Sequence, residues 1–201
     1  SGVTWIESIK EFGIPNDCYN PIKNFSFASP NNQVTISDVV ATAAVLDVRK
    51  TYRWLANEAK KIGVDIFVKT NINEVIKNDE NDIVGVSGIG VNGKTSFHAK
   101  VIIDATGFTS TISKAMGFVT QWKRFGVGAE YEAKVENVDS ETWWLMVGQE
   151  YTPAGYAWIF PLGNNIVRIG VGVGKPDSNI DPTQRLKDII EKKLGPIKKL
   201  G

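Results

Sequence analysis

The feature that most constrains this 201-residue chain is a run of short apolar segments separated by turn residues, at 125–135, 142–147, 156–160 and 166–173. Segments of that length, rich in aromatic and β-branched residues, predict four antiparallel strands. Within them Tyr156, Trp158 and Phe160 recur at every second position, and so do Gly170, Gly172 and Gly174. Residues at period two share one face of a strand. Three rings therefore share a face, and the partner strand has a face bare of side chains. An odd number of residues in the connection lays the rings over the glycines; an even number lays them beside Ile169 and Val171. Core packing accounts for rings readily, but glycines at period two weaken a strand with no packing gain. A bare strand floor beside a three-ring wall suits a long, flat or chain-like apolar ligand. Tyr156, Trp158 and Phe160 are expected to line such a cavity, with Gly170 and Gly172 near its floor.

Upstream the pattern changes. Residues 3–12 read as a short helix stopped by Gly13. Residues 25–28 and 33–37 read as strands joined by the turn cluster Pro30-Asn31-Asn32. Asp47 caps a helix to about Lys61, with Val48, Tyr52, Leu55, Ala59 and Ile62 at helical spacing and Gly63 as its stop. Residues 64–68 read as a strand, and 83–91 with 96–103 as a hairpin around Asn92-Gly93. The apolar end of that hairpin, Val101-Ile102-Ile103, runs into Asp104-Ala105-Thr106-Gly107 and a short helix near 110–116, which reads equally as an ordinary strand-to-helix turn or as a turn that exposes backbone amides to a ligand. Asp181-Pro182 opens a last helix that ends at Leu194-Gly195-Pro196. The expected class is α/β plus antiparallel β. An α/β layer over 41–117 interleaves with an antiparallel sheet over 118–180 and 20–40, and 1–19 and 181–201 flank them as helices.

Composition excludes several functions. The net charge of +1 offers no basic patch for nucleic acid. Lys192, Lys193, Lys198 and Lys199 read as a solvated helix face and tail, with weak attraction to anionic lipid head groups as the sharper reading. A single cysteine, Cys18, permits no internal disulfide, and neither a signal peptide nor an apolar run of about 20 residues is present. These points predict a cytoplasmic protein with peripheral membrane contact at most. The run Gly88-Ile-Gly90-Val-Asn-Gly93-Lys94-Thr95 satisfies two phosphate-binding patterns. Both need a helix to follow, and Thr95 onward reads as a strand. His98 is the sole histidine and lies in the hairpin; no His/Cys/Asp cluster suggests a metal.

The aromatic motif Tyr156-x-Trp158-x-Phe160-Pro161, followed by Gly170-x-Gly172, resembles the signature of the geranylgeranyl reductases, para-hydroxybenzoate-hydroxylase-like flavoproteins. Asp47-Val-Arg49-Lys-Thr-Tyr52 is similar to that family's Arg-bearing helix, Asp104-Ala-Thr-Gly107 to its second FAD-contacting segment, and Phe125-Gly-Val-Gly-Ala-Glu130 to the strand opening its substrate domain. The resemblance implies FAD held in part by Arg49, Asp104, Ala105 and Gly107. It implies a prenyl-chain substrate against Tyr156, Trp158, Phe160, Pro161, Gly170 and Gly172, and an external electron donor such as NAD(P)H or ferredoxin. The implied reaction saturates C=C bonds of geranylgeranyl chains, with archaeal ether lipids as the nearest substrate branch. It needs no catalytic side chain, because the flavin carries the redox chemistry. The family's glycine-rich pyrophosphate segment, its Pro-and-Cys-Gly segment and its Gly-Asp-Ala segment are absent, and Cys18 does not replace the second. The chain is therefore expected to be an internal piece that holds FAD weakly by itself. Two alternatives stand beside this reading: a membrane-associated quinone-reducing flavoprotein dehydrogenase, and a non-catalytic isoprenoid- or lipid-binding module.

Overall fold

The computed structural model describes residues 2–118, 122–193 and 197–200. In chain order the elements are β1 (Val3–Trp5), α1 (Ile6–Phe12), β2 (Tyr19–Ile22), β3 (Asn24–Ala28), β4 (Gln33–Ser37), β5 (Ala43–Leu46), α2 (Val48–Lys61), β6 (Asn71–Lys77), β7 (Ile83–Gly90), β8 (Gly93–His98), α3 (Thr111–Ala115), β9 (Phe125–Lys134), β10 (Thr142–Gly148), β11 (Thr152–Gly163), β12 (Ile166–Lys175), α4 (Pro182–Lys193) and β13 (Lys198–Lys199). They form two compact units, residues 1–57 with 123–201, and residues 58–122. The mixed α/β class follows the sequence pattern. The division falls at 57/58 instead of near 41, because β5 pairs between β1 and β2 and so belongs with the first unit.

The first unit is built on a seven-stranded sheet in the order β13-β9-β12-β11-β10-β3-β4. The four predicted strands pair antiparallel, and β3 joins them by a parallel ladder to β10. Alternation sends Ala157, Ile159, Ile169 and Val171 to one face, where Leu186, Ile189 and Ile190 of α4 close a core. The other face carries Phe25, Trp158 and Phe160 and packs against the small sheet β1-β5-β2 through Ile22, Ala43 and Val45. The sheet is thus covered by a helix on one side and three strands on the other.

The parity left open by the sequence is decided by one residue. Asn164 and Asn165 form a two-residue turn, both with positive φ (53° and 59°), the geometry that suits a hairpin's twist. Gly163 pairs with Ile166, which by simple counting would set Trp158 against Val171. A bulge between Pro161 and Gly163 adds one residue to β11 and shifts the ladder. Tyr156 consequently faces Gly172, Trp158 faces Gly170, and Phe160 faces Arg168.

Several expected elements differ. Only Ile6–Phe12 of the first segment is helical; Val3–Trp5 pairs with β5 instead. Gly13 ends the helix at φ 63°, its N–H donating to the Ile9 and Lys10 carbonyls. Asp47 caps α2 by accepting the Lys50 N–H at 3.0 Å. Lys198 and Lys199 form a short strand on β9 instead of a solvated tail, with the Lys199 ammonium 4.0 Å from the centre of the Tyr131 ring. The Leu194-Gly195-Pro196 stop lies outside the described residues.

The second unit holds the antiparallel sheet β6-β7-β8, with α3 packed on β6. The hairpin turns at Val91-Asn92, with Gly93 at φ 102°. A strand follows it, so the amides and dipole of a helix N-terminus are not there to hold phosphate. Its glycines serve close packing: a side chain at Gly88 would strike the Asn71 backbone, and one at Gly85 the Phe97 carbonyl. Residues 64–68 and 101–103 are not strands, and Val101 and Ile103 are exposed. An apolar run becomes a strand only where another strand offers its N–H and C=O groups, and no described strand pairs with either run. β6 departs from the sequence expectation because its apolar positions, Ile72, Val75 and Ile76, do not alternate, and its ladder to β7 shifts register between Ile72 and Glu74 and between Ile76 and Lys77.

Candidate functional site

On the small-sheet side of the first unit, a cavity of about 540 Å³ opens between the two sheets. Phe27, Trp143, Leu145, Tyr156 and Phe160 from the large sheet and Val3, Trp5 and Ala43 from the small one form its wall. No residue in that wall carries a formal charge. Trp143 links neighbouring rings, edge-on to Phe25 at 5.0 Å and tilted against Phe160 at 5.5 Å. A ligand held here gains affinity by apolar burial, at ~25 cal/mol per Å².

The predicted lining residues divide into three groups. Tyr156, half exposed, and Phe160, buried, are in the wall. Trp158 is not: its ring lies over Gly170, where an added Cβ would collide with the six-membered ring, and Gly172 is 3.7 Å from the same ring by that construction. The glycines thus make room for the protein's own indole instead of flooring a cavity, because the bulge sets ring and glycine directly opposite. Pro161 points to the opposite face, where it joins Trp144, Met146 and Tyr151 around a second concavity of about 630 Å³.

Beneath Trp158 lies a polar network that the strand reading missed. The indole Nε1 donates to Glu130 at 3.0 Å. Arg168, with its side chain only 4% exposed, lies 3.4 Å from Glu130 and donates to Glu132 at 2.8 Å and to the Leu46 carbonyl at 3.2 Å. The second Glu132 oxygen faces Arg49 at 3.7 Å. Buried charge is tolerated only when paired and hydrogen-bonded, and Arg168 meets both conditions. The sequence signal was present but faint: Glu130, Glu132 and Arg168 occupy alternate positions on the same sheet face as the aromatic motif.

The predicted cofactor residues fall in both units. Arg49, on the first turn of α2, has a side chain 73% exposed. In the second unit Asp104 accepts from the Thr106 N–H and hydroxyl at 3.0 and 2.6 Å, and from the Ser113 N–H and hydroxyl, both at 2.7 Å. Those bonds, the Ser113 hydroxyl's first, hold its carboxyl below the usual carboxylate range. Asp104 thereby fixes the turn, and Ala105 and Gly107 present their backbone from it. Gly107 has φ 66° with open space where a side chain would be. Cys18 is buried, and burial pushes its thiol up. His98 is exposed on β8. Among the described residues no group of His, Cys, Asp and Glu is placed to hold a metal, and no helix is long and apolar enough to cross a membrane.

Residues 126–200 match the family model described as the geranylgeranyl reductase catalytic domain. Over 154 residues the chain is 32% identical to digeranylgeranylglycerophospholipid reductase 2 of Methanococcoides burtonii, covering 75% of this chain and 37% of that protein. The chain belongs to the geranylgeranyl reductase family. It is also 32% identical over 198 residues to digeranylgeranylglycerophospholipid reductase of Methanocaldococcus jannaschii, covering 94% of this chain and 49% of that relative. The chain thus spans half the length or less of these curated relatives. A solved geranylgeranyl bacteriochlorophyll reductase-like protein from Thermoplasma acidophilum superposes with TM-score 0.86 at 22% identity, over all of this chain and 54% of that one. A flavoprotein/dehydrogenase from Cytophaga hutchinsonii superposes with TM-score 0.71 at 17% identity, over all of this chain and 55% of that one. At those identities the likeness is one of fold.

Proposed function

We propose that this chain is part of an FAD-dependent reductase that saturates C=C bonds of geranylgeranyl chains, with archaeal ether lipids as substrates. The observation that carries the reading is the cavity: an uncharged, aromatic-walled space on the motif-bearing face of the sheet. A prenyl chain carries no charge and no hydrogen-bond handles along its length, and this wall carries no formal charge. The wall's Tyr156 and Phe160 place the alkene and exclude water from it. Flavin, when bound, supplies the hydride, with NAD(P)H or ferredoxin as its external donor. The residues present fit that cofactor: Arg49 offers an exposed guanidinium, and the Asp104 turn offers an open glycine backbone at Gly107. The apolar stripe continues from the cavity wall across Phe27 to Val34 on edge strand β4, both partly exposed, which supports peripheral contact with a bilayer.

The test uses the full-length protein. Purified enzyme is expected to be yellow, or to become so with added FAD; a colourless protein that takes up none refutes the flavin assignment. Tyr156→Ala removes roughly 50 Å² of contact, about 1.3 kcal/mol at ~25 cal/mol per Å². Lipid binding is expected to weaken about tenfold with flavin content intact. Loss of flavin with normal lipid binding would show that the cavity is not the substrate site.

A further inference from the structure

We infer that Glu132 and Arg168 are positioning residues that hold Arg49 at the cofactor side of the first unit. The inference rests on the reading of Arg49 as a flavin contact. Arg49 is exposed and long, and an unrestrained guanidinium samples many rotamers that a bound anionic group must then freeze. Glu132 faces it as an ionic neighbour at 3.7 Å, and the geometry of that carboxylate is itself set from below. Glu132 stands opposite Arg168 in the β9–β12 ladder, and one of its oxygens accepts the buried guanidinium at 2.8 Å. That leaves the other oxygen turned toward Arg49. A third contact of Arg168 goes to the Leu46 carbonyl, at the end of β5 and two residues before α2 begins. One planar fork thus grips both the carboxylate that faces Arg49 and the strand end that leads into the Arg49 helix. The fork has no slack: a Cβ added at Gly2 would lie 2.9 Å from the guanidinium and 2.7 Å from Val48. Glu130 completes the set by bonding both Arg168 and Trp158, so the aromatic motif and the Arg49 helix are braced by the same buried cation.

The experiment is a double-mutant cycle on FAD affinity in the full-length flavoprotein, read by flavin fluorescence, with the melting temperature recorded alongside. Glu132→Gln alone is expected to weaken FAD binding about tenfold, and Arg49→Ala at least as much. If Glu132 acts through Arg49, the double variant binds FAD no worse than Arg49→Ala. A full additional loss in the double variant, or normal FAD affinity in Glu132→Gln, overturns the proposal. Normal FAD affinity in Arg49→Ala removes the cofactor reading of Arg49 itself, and the proposal with it. Should Glu132→Gln fail to fold, Arg168→Lys carries the same cycle, since it keeps the buried charge and loses the fork that reaches Glu132 and Leu46 together.

Discussion

Gly170→Ala is the sharpest test of how the aromatic motif is built. The added methyl would sit within van der Waals collision of the Trp158 ring, 2.9 Å from Nε1 and nearer still to the six-membered ring. Trp158 is 8% exposed and lies between the Tyr156 and Phe160 rings, at 5.6 and 6.1 Å, so displacing it disturbs packed neighbours. Forcing an extra carbon into such packing costs about 1–3 kcal/mol. Displacing the indole also breaks its bond to the Glu130 carboxylate, a charge-assisted bond of about 1.5–3 kcal/mol. Partial relaxation makes the two overlap, and a net loss of roughly 2–4 kcal/mol is expected. At a few degrees per kcal/mol for a protein of this size, the melting temperature should fall by roughly 5–15 °C. Gly172→Ala is the control. Its Cβ would meet the same ring at 3.7 Å, an ordinary contact, and is expected to change stability by less than ~0.5 kcal/mol. Thermal unfolding followed by tryptophan fluorescence distinguishes the two. Equal melting temperatures for both variants would refute the claim that Gly170 exists to seat Trp158.

Asp47→Ala removes the side-chain cap of α2 and is expected to cost about 1 kcal/mol in urea unfolding, with Asp47→Asn largely restoring it. Gly13→Ala meets no neighbouring atom but must adopt φ 63°, so it should destabilise by about 1 kcal/mol through backbone strain alone. Asp104 has a folded-state pKa held below the ordinary carboxyl value, so its contribution to the turn is present above the unfolded carboxyl value of about 4 and disappears as pH falls through the lower folded value. Hydrogen exchange at the Ser113 amide, corrected for intrinsic rate, should therefore stay protected from neutral pH to about 4. Loss of protection at pH 6 would contradict the bonding pattern, and Asp104→Asn should lose it already at neutral pH.

Much of this molecule is legible along the chain because its signals are local. Alternation marked β9 to β12, Asn92-Gly93 marked the β7–β8 hairpin, Asp47 and Gly63 bracketed α2, and Asp181-Pro182 opened α4; each depends on the conformational preferences of a few adjacent residues. The aromatic–glycine motif likewise identified the strand pair and the family. What local signals cannot carry is pairing. The apolar runs at 64–68 and 101–103 have strand composition but no described ladder partner, while the polar-looking Asn71–Lys77 became a strand because β7 lay beside it. Parity was decided by the bulge before Asn164-Asn165, which put Trp158 over Gly170 and removed both from the cavity wall. The network of Arg168 with Glu130, Glu132 and Leu46 joins residues more than 30 and more than 100 positions apart, so only the closed sheet could bring them together. Side-chain chemistry and period are properties of neighbours along the chain; register and the burial of a paired charge are properties of neighbours in space.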